Sequence, residues 1–215
     1  KGSATLFSYW SKDIRYTTSN TITFEDKYGD HSVRVLAGQE AMRDKMDLLG
    51  LSSPKVNPLI PYPTTSPAAD DQGDYNLVDE SLLSFFGVFD YNYLNRYYLQ
   101  ASVRADGSSL FGSNNKWGVF WSVGGSWNVS KENWMKWSRQ WLSALKIRAS
   151  YGVNGNNNIA PYKAYGLYGT TQYNGIIGMV PSSPENPNLS WEKNATYNIG
   201  VDFGFFDDRL TGSLD

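Results

Sequence analysis

The stretch YYLQASVRADGSSLFGSNNKWGVFWSVGGSWNVS, residues 97–130, contains two long runs in which apolar and polar side chains alternate. A small polar loop separates the runs, and both place apolar residues at odd positions and mostly small or polar residues at even positions. Successive side chains of a β-strand point to opposite faces, so this alternation predicts strands with one apolar and one polar face. Strands usually have five or six residues, whereas a tilted strand needs roughly 9 to 11 residues to cross a bilayer. We therefore expect the odd face to meet lipid and the even face to meet a wet lumen.

Composition narrows the class of protein. The chain has 215 residues, of which 40% are hydrophobic and 15% aromatic, with 15 Tyr, 10 Phe and 8 Trp. No stretch approaches the roughly 18 apolar residues of a membrane-spanning helix. The net charge is −2 without a run of Lys or Arg, which excludes a nucleic-acid footprint. Cysteine is absent from the sequence, which excludes disulfides and thiolate metal sites.

Alternation along the rest of the chain predicts an antiparallel meander. We expect eight strands, near residues 17–25, 31–41, 82–93, 96–106, 116–129, 144–153, 191–204 and 209–215. The prolines fall into two clusters outside these segments, which predicts long external loops at about 43–80 and 154–190. Short and long connections alternate, as they do in transmembrane β-barrels with short periplasmic turns and long extracellular loops.

The predicted fold is an all-β antiparallel meander that belongs to a closed transmembrane barrel, because strands in lipid must leave no backbone group unpaired. The linker SKENWMKWSRQWLSALK predicts a short interfacial helix, with its Trp residues at helical spacing beside Lys131, Lys136 and Arg139. The alternative for this linker is a helix that packs its Trp residues into a soluble core. The residues predicted to face lipid or form an aromatic belt are Trp117, Trp121, Val123, Trp127, Ile147 and Ile199.

The sequence offers little catalytic chemistry. His31 is the only histidine, and inward-facing carboxylates give no converging pair in the sequence, so we expect no enzyme activity. No cofactor is expected either, with one weak exception. Asp70, Asp71 and Asp74 offer oxygen ligands for a loosely bound Ca²⁺, although they lack the spacing of an EF-hand loop, and a solvated loop is the alternative.

Two sets of polar and aromatic residues are candidates for solute contact. The inward set either lines a solute path or hydrates and cross-links the lumen. The loop set either stacks on sugars or peptides or packs the loop against itself. The inward set comprises Gln100, Arg104, Asp106, Arg148, Asn154, Asn194 and Asn198, and the loop set comprises Tyr162, Tyr165, Tyr168 and Tyr173.

Three stretches carry a resemblance to a known family. Residues 103–130, 145–159 and 186–215 resemble, in order and approximate spacing, the barrel of SusC/RagA-type TonB-linked outer-membrane proteins, and residues 8–41 are similar to an earlier hairpin. The resemblance implies the C-terminal part of a barrel of about 22 strands. Residues 1–215 would then be one piece of this domain, without its plug, signal peptide and final strands.

The resemblance also implies a function and partners. Such proteins import oligosaccharides, or peptides in some members, across the outer membrane of Gram-negative bacteria. They act with a SusD-like surface lipoprotein and with TonB, which would be contacted through an N-terminal region missing from this chain.

Two alternatives remain at this point. A soluble or cell-surface β-sandwich that binds glycans would have shorter strands, with its apolar face covered by a second sheet. A complete small barrel of eight strands would pair residues 17–25 with residues 209–215.

Overall fold

The computed structural model describes residues 4–60, 62 and 72–215. Within them it has ten strands and two short 3₁₀ segments, Val129–Lys131 and Asn133–Ser138. Among these residues no helix has the length and hydropathy of a membrane span. The strands are β1 (Ala4–Tyr28), β2 (His31–Val56), β3 (Gln72–Tyr93), β4 (Tyr97–Ser108), β5 (Trp117–Asn128), β6 (Leu142–Asn156), β7 (Leu167–Tyr173), β8 (Ile176–Ser183), β9 (Glu192–Phe205) and β10 (Leu210–Leu214).

Eight of the strands form one sheet in the order β1-β2-β3-β4-β5-β6-β9-β10, and β7 pairs with β8 in a separate hairpin. Neighbours from β3 to β10 are antiparallel. The predicted all-β meander is therefore confirmed. In the described residues β1 and β10 lie at opposite edges of an open sheet, so the closed eight-stranded barrel is wrong for this chain.

The register keeps the predicted parity across the sheet. Val103 lies opposite Trp121, and Trp121 lies opposite Val153, which makes an apolar row. In the adjacent row Ser102 lies opposite Ser122, and Ser122 lies opposite Gly152. We call the odd positions of β3–β6 and β9 the apolar face and the even positions the polar face.

The apolar face has no second sheet over it in the described part of the chain. Val123 is 40% exposed, Val119 53% and Ile199 67%, although each lies within a long strand. A β-sandwich would bury these side chains, so the structure does not agree with that alternative.

The tight turns lie where the sequence predicts them. Gly29, between β1 and β2, has φ +58°, a conformation that L side chains rarely adopt. Leu94 and Asn95, between β3 and β4, both have φ of 54°, as in the left-handed turns that join twisted hairpin strands.

Contacts divide the chain into two units, Lys1–Thr17 with Met42–Ser81 and Thr18–Ala41 with Leu82–Asp215. In the first unit, charged side chains form pairs between neighbouring strands. Arg15 Nε donates to Asp44 at 2.9 Å, and Arg43 Nη2 donates to Asp79 at 2.7 Å.

The predicted loop at 43–80 is therefore wrong in its extent, because β2 continues to Val56 and β3 begins at Gln72. The alternation of apolar and polar residues fades there, although the strands remain paired in the sheet. Pro54 lies inside β2, so the rule that prolines fall outside strands also fails there.

The predicted loop at 154–190 contains the β7–β8 hairpin. Pro181 lies within β8, beside a register irregularity at Leu167 and Tyr168. Such an irregularity tolerates proline because the ladder is already interrupted. That these connections are external stays a prediction.

The short helix predicted for the linker at residues 130–143 is present as two 3₁₀ helices, Val129–Lys131 and Asn133–Ser138, and its interfacial position stays a prediction. Met135 packs with Val129 and Leu142 in a small buried cluster. Trp137 is 69% exposed, and Trp134 and Trp141 are also exposed, so these rings do not form a soluble core.

Candidate functional site

The polar face of the second unit forms a concave surface that crosses several strands. Register places Asp90 opposite Gln100, Gln100 opposite Gly124, and Ser150 opposite Asn198. A cavity of about 510 Å³ lies over this surface. The small residues in the middle of the row leave room between the longer side chains, so the surface can take up polar groups.

Charged pairs join the strands across this cavity. Arg34 Nη1 lies 3.0 Å from Asp90 Oδ2, and Gln100 Nε2 donates to Asp90 Oδ1 at 2.7 Å. Arg148 lies 3.1 Å from Asp202 and 2.8 Å from Asp215. Each arginine thus has an acidic partner on the same face, which fixes its guanidinium in place.

Lys146 differs from these arginines. It lines the same cavity, and its side chain forms no hydrogen bond or ion pair with another described residue. The cavity therefore offers one cation whose charge is not neutralised by a direct contact within the described chain.

A second polar network lies further along β4. Arg104 donates to Asp106 at 2.6 Å and to Ser84 Oγ at 2.8 Å, and its guanidinium lies 5.3 Å from the Phe86 ring centroid. Asp106 and Ser84 are buried. A cavity of about 440 Å³ adjoins Arg104, Asp106 and Asn154. A buried carboxylate is costly without a hydrogen-bonded partner, and Arg104 supplies that partner to Asp106.

A cluster of aromatic side chains closes the long-loop end of this face. Phe111 is 1% exposed, and its ring lies 4.7 Å from that of Trp191, which in turn lies 5.2 Å from that of Phe120. The backbone N–H of Gly112 donates to the carbonyl of Leu189 at 3.0 Å. These contacts join the β4–β5 loop to residues 186–191, so the base of the long connection is held against the sheet.

The predicted inward residues all lie on the polar face. Gln100, Arg104, Asp106 and Arg148 take part in the networks above, and Asn154 lies opposite Asn194 in the register of β6 and β9. The sequence alone did not single out Arg34, Glu40 and Ser84, which take part in these networks, or Lys146, which lines the larger cavity. The signal that identifies these residues is parity, once the even positions of β2, β3 and β6 are placed on the same face as those of β4.

The predicted loop tyrosines divide into two pairs. The rings of Tyr162 and Tyr165 lie 6.4 Å apart, so this pair packs within the loop. Tyr168 and Tyr173 lie on β7 and are exposed. Tyr165 is also 48% exposed, so it presents ring surface to a ligand together with Tyr168 and Tyr173.

The remaining candidates carry little chemistry. Asp70 and Asp71 lie outside the described residues, so calcium binding stays untested; Asp74 lies in β3. His31 Nδ1 lies 2.7 Å from the Tyr91 hydroxyl, and its ring packs 4.6 Å from that of Tyr93. His31 is thus held at the turn end of the sheet by two tyrosines.

At the same end of the sheet, Glu132 is the centre of a compact hydrogen-bond network. Its Oε1 accepts from the Tyr97 hydroxyl at 2.6 Å and from the Trp127 indole at 3.0 Å, and Arg96 lies 3.3 Å from its Oε2. Glu132 is 7% exposed. The hydrogen bonds from Tyr97 and Trp127, and then the charge of Arg96, hold the pKa of Glu132 below its ordinary value. Glu132 therefore remains ionised and anchors the linker to the strand ends.

Comparison with known proteins identifies the family. The sequence model described as "TonB dependent receptor-like, beta-barrel" matches residues 2–215. The chain belongs to the TonB-dependent receptor β-barrel family. This family consists of outer-membrane transporters rather than enzymes.

Individual TonB-dependent receptors show how much of such a protein is present. TonB-dependent receptor P39 of Formosa agariphila is 35% identical over 201 residues, which cover 90% of this chain and 18% of that receptor. TonB-dependent receptor SusC of Bacteroides thetaiotaomicron is 40% identical over 149 residues, which cover 63% of this chain and 14% of SusC. The chain therefore spans about a fifth or less of these receptors.

A solved structure of the RagAB peptide transporter superposes with a TM-score of 0.87 and 29% identity, covering 96% of this chain and 23% of that one. The resemblance to SusC/RagA-type receptors is confirmed by these matches.

Proposed function

We propose that this chain is part of the wall of an outer-membrane importer that takes up oligosaccharides or peptides with force delivered through TonB. The observation that carries the proposal is the contrast between the two faces of one sheet. An exposed, Trp-rich apolar face lies opposite a polar face with charged pairs and cavities. Sheets with this contrast and no covering layer are suited to a boundary between lipid and water.

The dimensions of the apolar face support a bilayer setting. Trp117 and Trp127 are ten positions apart on β5. At about 3.3 Å per residue and a tilt of about 40°, they are separated by about 25 Å along the barrel axis, which is the height of the apolar band of outer-membrane barrels. Val119, Trp121 and Val123 lie between them with no covering layer of described residues.

The polar face supports passage of a polar solute beside it. Its arginines are paired and therefore held in place, while Lys146 and the amides of Gln100 and Asn198 lie at the 510 Å³ cavity. In the complete receptor we propose that this face meets the plug and the cargo. The ammonium group of Lys146 and the amides of Gln100 and Asn198 can form hydrogen bonds with peptides and with sugars alike. The cargo class is therefore left open between peptides and oligosaccharides.

The β7–β8 hairpin supports contact with a SusD-like lipoprotein. No charged residue occurs between Lys163 and Glu185. Tyr173 is 85% exposed, and Ile177 and Met179 are also exposed. An isolated two-stranded hairpin is marginally stable in water, and an uncharged, apolar surface of this kind is stabilised by packing against a partner protein.

Uptake by the full-length receptor tests the function. Cells that express it as the sole importer are given labelled oligosaccharides or peptides, with TonB present or deleted. We expect accumulation of one cargo class that depends on both the receptor and TonB. Equal accumulation without the receptor or without TonB would refute the proposal.

Co-purification tests the partner. We expect the full-length receptor to retain a surface lipoprotein, and Ile177→Asp to lose it because a carboxylate would be buried in the interface. Asn174→Asp, at the hairpin turn, is the matched control and should retain the lipoprotein. Retention by Ile177→Asp would show that the hairpin is not the contact surface.

A further inference from the structure

We call the linker between β5 and β6, residues 129–141, the rim segment. Its side chains lie in rows along the segment. A 3₁₀ helix has three residues per turn, so side chains three apart lie in line. Glu132, Met135 and Ser138 form a buried row. Trp134 and Trp137 form a second row, which is exposed.

A third row of the rim segment is basic. Lys136 and Arg139 are three residues apart and exposed, and Lys131 is exposed at the start of the segment. None of the three side chains forms a hydrogen bond or ion pair with another described residue. The nearby carboxylate of Glu132 is already engaged by Tyr97, Trp127 and Arg96, so it does not neutralise these cations.

The buried row keeps the two exposed rows in a fixed orientation. Met135 packs in the cluster of Val129 and Leu142, against which Trp127 and Phe205 also pack. Ser138 Oγ donates to the carbonyl of Met135 at 2.8 Å. The exposed rows are thus presented by a structured turn.

The Trp row is continuous with an aromatic band along the turn end of the sheet. Ring centroids are 6.2 Å apart for Tyr97 and Trp127, and 6.4 Å apart for Trp127 and Trp134. On the other side of the rim segment, the Trp141 ring lies 6.0 Å from that of Phe205 and is nearly parallel to it. The band therefore extends from β4 through the rim segment to β9, where the apolar face ends.

We propose that the rim segment is a binding site for the phosphate of phospholipid headgroups in the leaflet next to the tight turns. Indole rings favour the region between acyl chains and water, where one part of the ring is apolar and the N–H is wet. The adjacent Lys131, Lys136 and Arg139 lie at the level of the headgroups and attract their phosphates. The inference rests on the proposed membrane function and adds a ligand class for one turn.

Lipid binding by the full-length receptor in detergent tests the site. Native mass spectrometry measures the affinity for short-chain phosphatidylglycerol. The test variant combines Lys131→Gln, Lys136→Gln and Arg139→Gln. The control variant combines Lys116→Gln, Lys163→Gln and Lys193→Gln, which removes the same charge from exposed positions elsewhere on the second unit.

We expect the test variant to bind roughly 100-fold more weakly, since each cation near a lipid surface contributes about fivefold. The control variant should bind as the unmodified receptor does. Equal loss in both variants, or no loss in the test variant, would overturn the proposal. Glycerol phosphate serves as a soluble competitor; displacement of the lipid at equal concentration would show a free-phosphate site and overturn it as well.

The outcome separates this inference from the proposed function. If the test variant binds lipid normally while the receptor inserts into vesicles and imports cargo, only the lipid site fails. If the unmodified receptor neither inserts nor imports, the proposed function fails with it.

Discussion

Replacing Val123 with arginine tests whether acyl chains solvate the apolar face. Val123 lies between Ala101 on β4 and Tyr151 on β6, and it is 40% exposed on that face. Trp117 lies six positions before it and Trp127 four positions after it. At about 3.3 Å per residue and the tilt of a barrel strand, Val123 lies within about 4 Å of the middle of the apolar band.

The expected magnitude follows from this depth. Arginine on the lipid face near the bilayer midplane destabilises outer-membrane barrels by about 2–4 kcal/mol. The equilibrium constant for folding should therefore fall by roughly 30- to 900-fold. In water the same substitution at an exposed strand position would change the stability by only about 0.5 kcal/mol.

Thr196→Arg is the matched control, because it adds the same side chain to the opposite face at nearly the same depth. Thr196 lies opposite Gly152, which leaves room for a longer side chain, and it precedes Tyr197, which lies opposite Tyr151. On a wet polar face the arginine keeps its hydration, so a much smaller effect is expected.

The assay is folding of the full-length receptor into lipid vesicles over a range of urea concentrations. Resistance to unfolding in detergent gels and tryptophan fluorescence report the folded fraction. A folding midpoint for Val123→Arg equal to that for Thr196→Arg would refute the assignment of lipid to the odd face. A larger loss for Thr196→Arg would reverse the assignment.

Three further predictions concern the networks of the second unit. The folded-state pKa of Glu132 is lowered, so its contribution to stability is full above its unfolded pKa of about 4.3. This contribution is lost as the pH falls through the lower folded value. Glu132→Gln should remove this acid sensitivity in a tryptophan-fluorescence titration below about pH 5. Gly112→Ala places a Cβ 2.1 Å from the carbonyl oxygen of Pro187, so limited proteolysis within residues 157–191 should accelerate. Arg104→Met leaves the buried carboxylate of Asp106 without its cation and should lower the urea stability by roughly 1–3 kcal/mol.

Each of these predictions has a control and a refuting result. If the acid titration of the Glu132→Gln variant matches that of the unmodified receptor, Glu132 does not cause the acid sensitivity. Ser113→Ala, at an exposed neighbour of Gly112, should leave proteolysis unchanged, and equal rates in both variants would contradict the clash. Arg34→Met should be milder than Arg104→Met because Asp90 keeps the hydrogen bond from Gln100, and the reverse order would contradict the importance of burial.

Much of the polar face was predictable because parity is a local property of the chain. Once residues 96–106 and 144–153 were recognised as strands, Gln100 and Arg104 had to share a face, and Arg148 had to lie opposite the apolar face of its own strand. Their partners were not predictable, since pairing depends on register. Asp90 meets both Arg34 and Gln100 only because neighbouring strands align them, and no spacing in the sequence encodes that alignment.

The sequence alone determined the antiparallel meander, its tight turns and the division into an apolar and a polar face, because a period of two and turn residues act over a few positions. The tertiary structure decided where strands β1 to β3 begin and end, since backbone pairing between them continues beyond the segments that carry the apolar pattern. It also decided that the Trp-rich linker is a 3₁₀ turn rather than an α-helix. Spacings of three and four are compatible with both helices, and the packing of Met135 against Val129 and Leu142 selects between them.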